Sequence, residues 1–280
     1  MSRFSASDAA VEGFRVLGRS WRVVLGWALF NLLGLIAACV LAGVLVAIAA
    51  FASAANAAGA GAAGGAIAAI VLALAMLALP VVIVAALFRM LLRDDPPGLF
   101  HLRLGRDELR LGAVWLGTLG ILLIVSATAF AVTGLSARAG GPMFGIPAVL
   151  VLLALQIWIA LRLSLAGPIT VAERKIGFAA SWRLTRGHAW SLLGMAVLAG
   201  CFLAMILILA WLLLAIVSGA VSGWDDLGLL LRADAEAMQE RPGFYIAQLV
   251  IDFLFAPVLW VISQTPLVAA YRAFTAQSQA

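Results

Sequence analysis

Apolar residues run almost unbroken through six stretches, at roughly residues 23–51, 66–92, 111–134, 145–171, 190–219 and 244–270. A helix rises about 1.5 Å per residue, so about 20 residues cross a ~30 Å hydrocarbon core. Each stretch meets that length with some tilt to spare. Lipid offers no partners for backbone N–H and C=O groups, so each stretch is predicted to be a helix. The period-2 alternation of a membrane β-barrel is missing, because 149–155 and 203–217 are continuously apolar. The expected fold is all-α: one integral membrane domain over residues 1–280, with six transmembrane helices.

Polar residues between the stretches set an orientation. The N-terminal segment, the 2–3 and 4–5 connections with their flanking helix ends, and the C-terminus hold 15 of the 18 Arg and Lys residues. The other connections hold Arg138, Arg232 and Arg241. The positive-inside rule then places both termini in the cytoplasm. A composition of 65% apolar and 11% charged residues agrees with a membrane protein, since soluble domains carry about 25% charge. Seventeen arginines against one lysine, with much Ala and Gly, point to a GC-rich bacterial genome and hence a bacterial inner membrane. The net charge of +5 lines the inner membrane face, where it meets anionic headgroups, so nucleic acid is not the expected partner.

A cleaved signal peptide is the rival reading of the N-terminus, with Ala52, Ala54 and Ala57 as its small residues. The apolar run before them is far longer than the roughly 7–15 residues of a signal h-region. The run is therefore expected to remain as the first span, with 53–65 as a short outside turn. Cys39 and Cys201 sit within spans and are expected to be packing residues. No Cys/His spacing points to a metal, and no cofactor is expected.

Three cytoplasmic segments carry the most detailed pattern: residues 5–22, 99–110 and 173–187. In the first, Ser5 and Asp8 have capping-box spacing. Phe14, Leu17 and Trp21 share a face there, with Arg15, Arg19 and Arg22 beside them. That pattern fits an amphipathic helix lying in the interface. In the third, Phe178 and Trp182 supply bulk, Arg183 and Arg186 supply charge, and Gly187 can end the helix. Phe14-Arg15-Val16, Leu102-Arg103-Leu104 and Trp182-Arg183-Leu184 occupy similar positions before a span. This implies three repeated units, each an interfacial helix followed by two spans. Arg15, Arg19, Trp21, Trp182, Arg183 and Arg186 are the expected contacts to lipid headgroups. A protein partner or a second copy of the chain is the other candidate for these helices.

The third segment also carries a resemblance. It lies in Arg162-Leu163-Ser164-Leu165-Ala166-Gly167-Pro168, Glu173, Ala180-Ser181-Trp182-Arg183-Leu184-Thr185-Arg186-Gly187 and Trp190-Ser191-Leu192-Leu193-Gly194. This run resembles the membrane domain of glycerophosphoryl diester phosphodiesterases. In that family the membrane domain is often joined to a soluble catalytic domain. A catalytic barrel takes about 250 residues, and nothing in this chain corresponds to one. The resemblance therefore implies a stand-alone membrane domain without phosphodiester hydrolysis, and it transfers no ligand residues.

Ionisable groups inside a bilayer are costly and often functional. Asp252 lies about 12 Å inside the outer boundary at the helical rise. Gln248 is one turn away, and Gln156 of the fourth span lies at similar depth, so the three form a candidate proton or cation site. Arg162 lies about 25 Å down its span, where it can snorkel to the inner interface. Gln264 is its expected neighbour. Pro257 and Pro266 predict a kink in the sixth span. Ala69/Ala73 and Gly219/Gly223 have small-xxx-small spacing for helix packing. The outer connection 219–243 is acidic, with a short amphipathic helix expected at 233–239.

Three function classes follow. The first is a non-catalytic membrane protein that organises lipid or a partner through its interfacial helices. The second is a transporter of a small or amphiphilic solute working through Asp252 and Gln156. The third, an enzyme, lacks any nucleophile–base pair or phosphate-cradling loop in the sequence. The first is the expectation.

Overall fold

The computed structural model describes residues 5–54, 60–93, 99–140, 142–222 and 242–278. Every regular element among them is helical. In chain order these are α1 (Ala6–Arg19), α2 (Trp21–Ala54), α3 (Ala60–Leu92) and, after a 3-10 turn at Leu99–His101, α4 (Arg106–Gly140). Then follow α5 (Pro142–Leu163), α6 (Ala166–Glu173), α7 (Phe178–Leu184), α8 (Ala189–Ser222) and α9 (Pro242–Ser278). Six stretches are long and apolar enough to cross a membrane: Trp21–Ala54, Gly61–Leu92, Arg106–Leu135, Val149–Glu173, Ala189–Leu213 and Tyr245–Ser278. The protein is a multi-pass, all-helical membrane protein. Large apolar side chains such as Leu25, Phe51, Phe130 and Leu213 stand exposed along the spans, as a lipid solvent requires.

Two compact units divide the chain. The first comprises 1–13, 81–196 and 264–280, and the second 14–80 and 197–263. In the first unit, Ala9 of α1, Leu165 and Ile169 near and in α6, Leu192 of α8, and Ala270 and Phe274 of α9 form one buried cluster.

In the second unit, α2 buries a stripe at Val24, Trp27, Asn31, Leu35, Ala38 and Ala42. The spacing of three and four residues keeps one helical face inward. Small residues let α2 and α3 approach closely. A Cβ on Gly64 would lie 2.0 Å from Ala49 Cβ. Gly64 and Ala68 are the buried small pair of α3, whereas Ala69 and Ala73 are exposed. The small-xxx-small face is thus one residue, about 100° around the helix, from the expected one. Cys39 and Cys201 are exposed and do not pack a core.

Prolines bear on two of the spans. The fourth span is not one helix: α5 ends at Leu163 and α6 starts at Ala166. Pro168 has no N–H to return to Ser164, but it fits the first turn of α6, where that N–H would be unpartnered anyway. α9 runs as one continuous helix across Pro257 and Pro266. In the second unit, Asn31 Nδ2 donates to Phe253 O at 2.7 Å. Phe253 is four residues before Pro257, so its carbonyl is the one the proline leaves without a helical donor.

A short helix precedes a span at two of the three expected places. α1 precedes α2 and α7 precedes α8, each a short helix before a span. The 99–110 segment is not an interfacial helix. It is a 3-10 turn, a non-helical stretch at 102–105 and the first turn of α4. Phe100 and His101 have φ of 52° and 60°, a left-handed pair that a continuing right-handed helix excludes. The outer connection with its expected helix at 233–239, the Gly219/Gly223 pair and Arg138 fall on residues or side chains outside the described set.

Candidate functional site

The first unit holds an elbow where α5, α6 and α7 meet. Thr170 is fully buried; its hydroxyl donates to Ala166 O at 2.6 Å and accepts the Gly177 N–H at 3.0 Å. Arg174 ends α6 in the left-handed region at φ 56°. The chain then folds back so closely that a Cβ on Gly177 would lie 2.9 Å from Ala166 O. Only glycine fits there. Gly187, expected to end the helix, adopts φ 87° in the turn after α7.

Ser181 and Phe178 help to dock α7. The Ser181 hydroxyl donates to Arg162 O at 2.7 Å, supplying one of the carbonyls that the end of α5 leaves free. Phe178 lies against Gly117 of α4, where an added Cβ would come within 2.8 Å of its ring. Gly117 is therefore the slot that admits α7 between α4 and α5.

The docking brings Arg162 into an aromatic clasp. Its guanidinium carbon lies 5.3 Å from the Trp158 ring centre and 5.7 Å from that of Trp182. The two indoles meet edge to face, 5.0 Å apart at 89°. Such geometry combines cation–π attraction with the preferred aromatic arrangement. The guanidinium donates to Thr185 Oγ1 at 3.5 Å, a long contact, and its Nε is buried without a hydrogen-bond partner. Gln264, the expected neighbour of Arg162, shares no hydrogen bond with it among the described residues. Trp182 is thus a partner of Arg162.

Beside the clasp, a groove of about 440 Å³ opens between α4, α5 and α7. Its walls include Ile121, Trp158, Leu163, Phe178, Ala179 and Trp182, all apolar or aromatic.

A second polar cluster joins the end of α3 to the start of α4. Arg89 is 4% exposed and Glu108 6%, and the two form an ion pair. Arg89 also donates to His101 O at 3.0 Å, while Glu108 accepts the Gly105 N–H at 2.8 Å. Glu108 thereby reaches back to the residue before its helix, the acidic half of a capping box. Arg93 and Arg110 both pair with Asp107, at 2.8 Å and 3.3 Å. Arg272 of α9 donates to Leu91 O, adding a cation at the C-terminal end of α3. Sequence reading took these arginines as inner-face charge and left Glu108 and Asp107 without a role. A visible signal was the Gly105-x-x-Glu108 spacing beside an Arg inside a span.

The expected surface residues sit as follows. Ser5 Oγ accepts the Asp8 N–H at 3.3 Å, starting α1 as the capping-box spacing implies. α1 buries Ala9, Ala10, Gly13 and Val16 and exposes Arg15 and Arg19. Phe14 is half-buried and meets Phe202 edge to face at 5.6 Å within the second unit. Trp21 is 55% exposed, with the Arg22 guanidinium 5.4 Å from its ring. Arg183 and Arg186 are exposed.

Gln156 lies in the first unit, where its amide donates to Ser126 Oγ of α4 at 3.1 Å. Asp252 and Gln248 lie in the second unit. Asp252 is exposed on α9, with no hydrogen bond or ion pair to the described residues. Among the described residues, no three His, Cys, Asp or Glu side chains gather into a metal-binding group. Compared with family models, curated proteins and solved structures, the chain matches none.

Proposed function

We propose that this protein is a non-catalytic component of a bacterial inner membrane that organises anionic lipid through its cytoplasmic interfacial helices, with both termini in the cytoplasm. The observation that carries this reading is the two-sidedness of α1. It buries Ala9, Ala10, Gly13 and Val16 against protein while Arg15 and Arg19 stay outside. α7 and the turn after it repeat the arrangement, with Ser181 buried and Arg183 and Arg186 exposed. Cations held at the membrane surface attract anionic headgroups by about 1 kcal/mol each. The resemblance to the glycerophosphodiesterase membrane domain, which centres on the α5–α7 elbow, supports a lipid-facing membrane module.

The test is lipid selectivity in reconstituted vesicles, read by electron paramagnetic resonance of spin-labelled phosphatidylglycerol and phosphatidylcholine. The wild type should prefer phosphatidylglycerol at its boundary. Replacing Arg15, Arg19, Arg183 and Arg186 by Gln should abolish the preference, and an unchanged preference would overturn the reading.

A second reading takes its support from Asp252, a carboxylate exposed on an apolar spanning helix. In that reading the chain carries a small solute, with Asp252 and Gln248 of the second unit as polar groups. Proton- or solute-coupled flux in proteoliposomes that disappears in Asp252→Asn would establish it.

A further inference from the structure

The groove beside Arg162 has a shape and a chemistry that define an occupant. It lies between the spanning helices α4 and α5 and is closed on one side by α7. The medium that bathes such a surface is the bilayer. Its apolar walls exclude a polar solute, because a buried polar group needs a partner. Its volume of about 440 Å³ is that of a small-ligand pocket, a class spanning about 300–1,000 Å³. An acyl chain is an apolar object that such walls can take.

The same two indoles that wall the groove hold the Arg162 guanidinium. Arginine has five N–H donors; Nε is buried, and of the outer nitrogens Nη1 makes one long bond to Thr185 Oγ1. An anionic oxygen at the head of a chain in this groove therefore meets a preorganised cation with donors to spare. Phosphate suits the planar guanidinium fork.

We propose that the groove between α4, α5 and α7 is a specific site for one anionic phospholipid, with an acyl chain against Phe178, Trp158 and Trp182 and its phosphate on Arg162. This rests on the lipid-organising reading and deepens it. Surface cations alone select a lipid class at the boundary, whereas this site holds one molecule in a fixed place. Gly117 has a role at a distance: by admitting Phe178 it forms one wall of the site.

The experiment is native mass spectrometry of protein purified from membranes, then exchanged into nanodiscs of equal phosphatidylglycerol and phosphatidylcholine. The wild type should retain one phospholipid through detergent washing, with phosphatidylglycerol preferred at least tenfold. Ala179→Phe, which places a ring in the groove, should lower the retained fraction at least tenfold. Ile121→Trp fills the groove from the α4 wall and should do the same, which covers the case where one variant fails to fold. Arg162→Gln should keep a lipid but lose the preference for the anionic headgroup. Val44→Phe, at an exposed position of the second unit, should behave as wild type.

Retention unchanged in both filled variants would overturn the site. So would a dimer mass lost in those variants, which would mean that a second copy occupies the groove. The surface-arginine variants separate the two proposals. If they lose boundary selectivity while the tightly held lipid stays, both readings stand. If boundary selectivity survives but Ala179→Phe releases the lipid, the groove stands and the surface reading falls.

Discussion

Asn31 of α2 donates its side-chain amide to Phe253 O of α9, at 2.7 Å, and so supplies the hydrogen bond that Pro257 cannot. Asn31 is 0% exposed and Pro257 is buried, so no water substitutes for the amide. The pairing explains how a proline is tolerated deep in a spanning helix without breaking it. It also makes the two residues interdependent. Asn31→Leu should destabilise the protein by about 1–3 kcal/mol, the cost of leaving a buried acceptor unmet. In a Pro257→Ala background the helix regains its own N–H, and the same substitution should cost well under half as much. A double-mutant cycle of thermal unfolding in detergent checks this, and strict additivity would refute the coupling.

The buried pair Arg89–Glu108 should behave asymmetrically. Removing one partner leaves a desolvated charge, so Glu108→Leu or Arg89→Met alone should cost about 3–5 kcal/mol. The double replacement should be much closer to wild type, because no charge is then buried alone. Chemical denaturation of the three variants in one detergent measures the difference. Two singles and a double of equal stability would mean that the pair is exposed to water.

Phe178 enters the space left by Gly117, so the order of size along this contact should matter. Gly117→Leu should dislodge α7, because its Cβ would already lie 2.8 Å from the Phe178 ring before the rest of the side chain is counted. Hydrogen exchange across 178–187 should rise at least tenfold, and Phe178→Ala in the same chain should restore much of the protection. Exchange unchanged by Gly117→Leu would show that α7 is held elsewhere.

Gly64 and Ala49 make the closest approach of α2 and α3. Gly64→Val should cost about 1–3 kcal/mol by overpacking. Ala69→Val and Ala73→Val, on an exposed face, should be close to neutral. Thermal stability of the three variants ranks them, and a reversed order would move the interface back to the face expected from spacing alone.

Much of the architecture is legible in the sequence. Six runs of apolar residues mean six helices, because a bilayer leaves the backbone no other partner. The observed spanning stretches overlap every expected run. The caps of short helices were also legible, because Ser5 to Asp8 and the turn at Gly187 depend on neighbours a few residues away. The helix after 99 was not. Its charge pattern suits an amphipathic helix, yet the left-handed pair Phe100–His101 and the pull of Glu108 on Arg89 turn the chain directly into α4.

Local order along the chain therefore determined which segments are helices and where charge collects. Tertiary structure alone decided which polar residue meets which. Arg162 lies against two indoles from different helices, Asn31 serves a carbonyl 222 residues away, and Gly64 rather than Ala69 faces its neighbour. Almost every face of a spanning helix is apolar, so hydropathy carries no record of which side packs and which meets lipid. That choice is made by steric fit and by the need to satisfy each buried polar group, and both depend on residues far apart in sequence.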